Sequence, residues 1–133
     1  MSAEPGRYST VMALARLAST ALDCTDPAAL AQFWAELIGG EVAFTSDEFC
    51  AVKTSNGWLA TVRVPDYQAP TWPAAAVPKQ MHLDLAVDDL DAAEAEAVRL
   101  GARKTDVQPG PDRWRVLLDP AGHPFCLSNQ IPQ

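Results

Sequence analysis

With 133 residues, 48% of them hydrophobic, the chain can bury one core and is too short for two ordinary domains. Its 10 Lys and Arg against 17 Asp and Glu give a formal net charge of -7, which repels phosphate backbones and anionic lipid, so neither nucleic acid nor a membrane is an expected partner. Cys24, Cys50 and Cys126 are odd in number and lack CxxC spacing, a pattern of reduced thiols in a cytoplasmic protein rather than of a disulfide framework.

Residues 1–15 are polar at their start and hold Gly and Pro, and are read as a flexible N-terminal tail. The apolar run VMALARLASTAL is interrupted by Arg16 and preceded by Glu4, which argues against a secretory leader. From 16 to 130 the chain reads as one domain made of two similar halves, module one over 16–64 and module two over 80–130. In the first, a β-type run at TALDC meets a turn at Asp26, where Thr25 or Asp26 can cap a helix that has Pro27 in its first turn. Leu30, Phe33, Trp34 and Leu37 then recur at helical spacing before Gly39 and Gly40 stop the helix. The period next becomes alternating, which predicts strands over 40–45, 48–54 and 58–64 with a turn at Ser55-Asn56-Gly57.

Residues 65–79 carry Pro65, Pro70, Pro73 and Pro78, so they are read as an extended crossover rather than a strand. Tyr67 and Trp72 on it can lid a pocket, pack on a partner, or staple the crossover to a sheet.

The second half repeats the first. Aligning Asp26 with Asp89 gives an offset of 89 − 26 = 63 residues. A strand over 81–87 leads to a helix capped by Asp88 or Asp89, with Leu90, Ala93, Ala97 and Leu100 on its buried face and Gly101 closing it; Glu94 and Glu96 fall off that face. Strands are expected over 102–107, 113–119 and 124–129. Each half is thus βαβββ. In the fifth strand Met81, Leu83, Leu85 and Val87 share one face and His82, Asp84 and Ala86 the other, so His82 and Asp84 are expected to point away from the helices. Trp114 stands between Arg113 and Arg115, and alternation forces a choice: an inward indole makes an aromatic wall, whereas inward guanidinium groups suit an anionic ligand. His123, in the turn before the last strand, is read as a structural residue with a turn-shaping or hydrogen-bonding role.

The stretches DPAALAQFWAELIGGEV, QMHLDLAVDDLDAAEAEAVRLGA and DPAGHPFCLSN resemble the glyoxalase/bleomycin resistance/dioxygenase family, the vicinal oxygen chelate superfamily, and within it the small glyoxalase-like members. The resemblance spans residues 17–130. It implies an α+β fold of two βαβββ modules whose mixed sheets form a concave cup with the helices outside, and a homodimer as the working unit. It also implies a divalent metal held by a His or Glu on the first strand, a Glu on the fourth, a His on the fifth and a Glu on the eighth. Such a cation acts as a Lewis acid on vicinal substrate oxygens, which requires imidazole and carboxylate donors that converge. Here His82 matches the fifth-strand histidine, while its repeat partner at 82 − 63 = 19 is Ser19, a poor ligand. The fourth strand WLATVRV offers no donor, Thr61 being the best match, and the eighth-strand position falls on Cys126. Ser19, Thr61, His82 and Cys126 are therefore read as vestigial positions, with His82 and Cys126 as two remaining donors and no metal or other cofactor expected.

GxGxxG, P-loop, GxSxG and HExxH motifs are absent from the sequence. The expectation is a metal-independent small-molecule-binding protein, drug-sequestering or ligand-binding, with Ser19, Thr61, Trp72, His82, Asp84, Trp114 and Cys126 lining the cup. The residues leave an enzyme reading open: a lyase, isomerase or dioxygenase type with a degenerate metal site, or one using His82 and Asp84 as a catalytic acid-base pair.

Overall fold

The computed structural model describes residues 13–132. Of the expected tail only 13–15 fall in this range, and they carry no helix or strand; the rest of the tail lies outside the described residues. The elements follow as β1 (Ser19–Cys24), α1 (Pro27–Ile38), β2 (Glu41–Thr45), β3 (Phe49–Thr54), β4 (Gly57–Arg63), β5 (Leu83–Ala86), α2 (Leu90–Leu100), β6 (Arg103–Lys104), β7 (Trp114–Leu118) and β8 (Pro124–Ser128). They form two four-stranded sheets of the same plan, ordered β1-β4-β3-β2 and β5-β8-β7-β6. In each, the first strand runs parallel to the last and the other pairings are antiparallel, so the internal repeat is a repeat of topology.

Both helices start and stop for the reasons their sequences give. The Asp26 carboxylate accepts from Ala29 N at 3.2 Å and the Asp89 carboxylate from Ala92 N at 3.0 Å, each satisfying a first-turn donor that has no helical partner. At the other end Gly39, with φ 75°, takes the left-handed conformation that closes α1. Helix α1 covers one face of β2, β3 and β4, and α2 one face of β6, β7 and β8, while the helices also touch each other. The other face of each sheet is left open.

The core is continuous across the halves. Leu30, Phe33 and Trp34 of α1 pack with Val52 and Leu59 of the first sheet and with Phe125 and Leu127 of the second. The Trp34 and Phe125 rings meet edge-on with centroids 5.1 Å apart. Beside them lies the buried carboxylate of Asp119, 1% exposed. Its Oδ2 accepts from the Trp34 indole at 3.0 Å, and its Oδ1 accepts from the backbone N–H groups of Ala121 and His123, each at 2.9 Å. One side chain thus shapes the β7–β8 turn and ties it to α1.

A second tie runs through the crossover. Tyr67 Oη donates to Ala121 O at 2.8 Å, and His123 Nε2 lies 2.6 Å from Asp23 O of β1 and 3.2 Å from Tyr67 Oη. Of the roles open to Tyr67, the geometry selects the staple, and His123 joins the β7–β8 turn to the first sheet.

Two strands are clearly shorter than the pattern predicts: β5 is Leu83–Ala86 where 81–87 is expected, and β6 is shorter still in proportion. Alternation suggests 102–107, but β6 is only Arg103–Lys104. Beyond it, the Gln108 amide accepts from Val116 N at 2.9 Å and donates to Val116 O at 2.8 Å, so a side chain takes the ladder position that a longer β6 would fill.

Replacing Asp119 by Ala strands the Trp34 indole N–H and two backbone donors, so we expect a loss on the order of 3 kcal/mol in urea unfolding. Burial pushes the Asp119 carboxyl above its ordinary value, and His123 and the hydrogen bonds offset this only in part. The folded chain therefore holds this proton more tightly than the unfolded chain, and stability falls as pH rises from the ordinary carboxyl range through the raised value. Asp119→Asn should lack that slope, so unfolding measured over a pH series should show the wild type losing ground to the variant across that window.

Candidate functional site

In β5 and β8 the register is Asp84 with Cys126 and Ala86 with Ser128; in β8 and β7 it is Cys126 with Val116 and Ser128 with Trp114. Paired residues share a face. Leu83, Leu85, Leu117, Phe125 and Leu127 face α2 and the core, which turns Asp84, Cys126, Ser128 and Trp114 to the open side. His82, one residue before β5, has the same parity as Asp84. These five residues and Ile131 line a recess of about 280 Å³.

The choice posed by Arg113-Trp114-Arg115 is resolved by α2. Arg115 Nη1 reaches Asp91 at 2.7 Å and Glu94 at 3.1 Å, so its guanidinium lies on the helix side. The indole of Trp114 is left as a wall of the recess, with the Arg113 guanidinium 5.1 Å from the ring centroid. Gly110 makes room for that ring: a Cβ there would come within 2.7 Å of Trp114 ring atoms.

The polar floor is a trio. His82 Nε2 lies 3.1 Å from Asp84 Oδ1, and the donor atoms of His82, Asp84 and Cys126 all fall within 4.8 Å of one another. Burial, then the negative charge of Asp84 and a hydrogen bond to it, push the Cys126 thiol up to about 11, with Lys79 opposing. At neutral pH Cys126 is therefore a thiol. A nitrogen, an oxygen and a sulfur donor so close together suit a borderline-soft divalent cation better than an oxygen-preferring one. His82 and Cys126 were the two donors left at the implied metal positions, and Asp84, which strand alternation places on the same face, stands beside them as a third.

Three expected lining residues stand elsewhere. Thr61 was placed in the cup, yet it is fully buried and its hydroxyl donates to Pro27 O at 2.8 Å, beneath α1. The register pairs Ala21 with Ala60 and Leu22 with Thr61, so the open-face positions of β4 are Trp58, Ala60 and Val62. A slip of one residue inverted the face. Ser19 is on the open face of the first sheet, paired with Trp58 and outside this recess. Trp72 is half-buried on the crossover and does not line the recess. Ser128 and Ile131 were missed. Ser128 was legible, two residues beyond Cys126 on one strand, whereas Ile131 follows the last strand and had no periodic signal.

A family model described as a glyoxalase-like domain matches residues 19–128, from the first residue of β1 to the last of β8. The chain belongs to the glyoxalase-like domain family. Solved structures agree on the fold. A glyoxalase/bleomycin resistance protein/dioxygenase family enzyme from Burkholderia phytofirmans PsJN is 18% identical with TM-score 0.67, covering 88% of this chain and 100% of its own. The fosfomycin resistance protein of Mesorhizobium loti is 16% identical with TM-score 0.67, covering 90% and 94%. The bleomycin-binding protein of Streptomyces verticillus, solved with copper(II)-bleomycin, is 23% identical with TM-score 0.60, covering 90% and 100%. A search of curated proteins returns no match. At these identities the likeness of the solved structures extends to the fold and stops short of the activity.

The raised thiol value carries its own prediction. Alkylation of Cys126 by iodoacetamide at neutral pH should be slower than that of an ordinary exposed thiol and accelerate as pH climbs toward about 11, because only thiolate reacts. Asp84→Asn should speed it at fixed pH, read by mass spectrometry of the Cys126 peptide.

Proposed function

We propose that this glyoxalase-like protein binds a small molecule on the open face of the second sheet, with the Trp114 indole as wall and His82, Asp84 and Cys126 as floor. The observation that carries the reading is the shared recess: an aromatic face and the four polar side chains of His82, Asp84, Cys126 and Ser128 converge in about 280 Å³. A planar ligand stacks on Trp114 and takes hydrogen bonds from His82 and Ser128, whose groups can donate or accept. Sequestration or carriage of a ligand needs no more than this. The structural neighbours named for fosfomycin resistance and bleomycin binding support this class of role without fixing the ligand.

A second chain belongs to the same proposal. The open face of the first sheet exposes Trp58 at 41%, Phe49 at 41% and Phe44 at 49%, with the two phenylalanine rings stacked at 5.0 Å. Aromatic groups clustered on a sheet face are costly to leave in water, and a homodimer that closes this face over the partner's recess removes them from it. Nothing in the described residues is long and apolar enough as a helix to cross a membrane.

An enzymatic reading rests on the His82–Asp84 contact of 3.1 Å, which orients the imidazole for proton transfer to or from a bound molecule. In that case a ligand identified by binding would be converted, and His82→Asn would stop conversion while leaving binding within a few-fold.

To test the binding reading, planar aromatic compounds, bleomycin and fosfomycin would be screened by calorimetry against the wild type, Trp114→Ala and Gly110→Ala. Any true ligand should lose at least tenfold in affinity with Trp114→Ala and weaken with Gly110→Ala, which displaces the ring. Ligands indifferent to both variants would place the site elsewhere. Light scattering should give twice the chain mass, and Trp58→Glu should shift the protein toward monomer.

A further inference from the structure

We propose that His82, Asp84 and Cys126 form a binding site for one thiophilic divalent cation, Zn2+ being the type, held entirely within the second module. The metal set implied for the superfamily draws on strands of both halves, and here the matching positions are Ser19 on β1 and Thr61 on β4; the open-face residues are Ser19, Ala21 and Asp23 on β1 and Trp58, Ala60 and Val62 on β4, and Asp23 lies outside the recess. What replaces them is local. Asp84 stands two residues from His82 on one face and directly across the parallel β5–β8 pairing from Cys126. Three donors of three kinds are thereby brought together by one strand pair and the residue that leads into it.

The spacing suits the ion. On tetrahedral Zn2+, bonds of about 2.0 Å to nitrogen and oxygen and about 2.3 Å to sulfur put neighbouring donors roughly 3.3 to 3.6 Å apart. The His82–Asp84 separation of 3.1 Å already matches, and the widest spacing in the trio, within 4.8 Å, must close by about an ångström. The side chains of His82 and Asp84 are 36% and 53% exposed, so neither is locked by packing against such a shift. The thiolate decides the class of ion, because sulfur favours Zn2+ over Mg2+, Ca2+ or Mn2+. Lys79 is the cation whose field reaches Cys126, and the carboxylate of Asp84 outweighs it there. The fourth coordination position opens into the Trp114-walled recess, where water or a donor atom of a bound molecule completes the shell.

Cation binding does not rest on the small-molecule reading, since it is measured without an organic ligand. The full chain, stripped with a chelator, would be titrated with Co2+ and followed by absorption. We expect a thiolate-to-cobalt charge-transfer band in the near ultraviolet, saturating at one Co2+ per chain and abolished by Zn2+. Cys24 and Cys50 are fully buried in the core, so the band reports Cys126. His82→Ala and Asp84→Asn should each weaken Co2+ binding by at least the roughly 10- to 100-fold that even outer-shell partners are worth, with circular dichroism showing the fold retained. Cys126→Ser should remove the band. The assignment is overturned by the absence of a charge-transfer band in the wild type, by a band that survives Cys126→Ser, or by Mn2+ displacing Co2+ at comparable concentration.

Discussion

The carboxylate of Asp119 is the contact on which the relation between the two halves depends. It is buried, and what makes it tolerable is three hydrogen bonds, two from its own turn and one from Trp34 on the helix of the other module, together with the nearby His123. The same turn presents Ala121 O to Tyr67 and the His123 ring to β1. Because β8 begins immediately after this turn, the bonds that hold the modules together also fix where Cys126 and Ser128 stand.

Strand alternation does the rest. A helix on one face of each sheet takes the apolar parity, so the other parity is delivered to the open side. In the second sheet that parity is polar near β5 and aromatic at Trp114; in the first it joins alanine, valine, phenylalanine and tryptophan with Ser19, Asp23, Glu41 and Lys53 at its margins. The two open faces are unlike in kind. This difference between repeats of one topology is what the binding and dimer proposals both use.

Much of this was legible in sequence, and the failures have physical causes. Caps at Asp26 and Asp89, the stop at Gly39 and the βαβββ repeat follow from short-range rules, because the residues that satisfy the backbone lie within four positions. His82 and Asp84 were placed on the open face because Leu83 and Leu85 between them leave little doubt which parity is apolar. Thr61 failed because Leu59, Thr61 and Val62 do not mark a face by themselves, and only the pairing with β1 and the hydroxyl's bond to Pro27 O settle it. The side chain of Arg115 was undecidable until Asp91 and Glu94 were known to sit above it. Likewise, Gln108 ending β6 and Asp119 receiving the indole of Trp34 are contacts between sequence-distant or side-chain and backbone groups that no periodicity encodes.

The central claim is that the functional surface is the open face of the second sheet. It is tested most directly by two-dimensional NMR of the uniformly nitrogen-labelled protein during a small-molecule fragment screen, since the perturbed resonances locate binding without assuming a ligand. The account predicts that hits shift the Trp114 indole together with the amides of His82, Asp84, Cys126 and Ser128. Shifts confined to the crossover around Tyr67 and Val77, with the Trp114 and Cys126 signals unmoved, would contradict it.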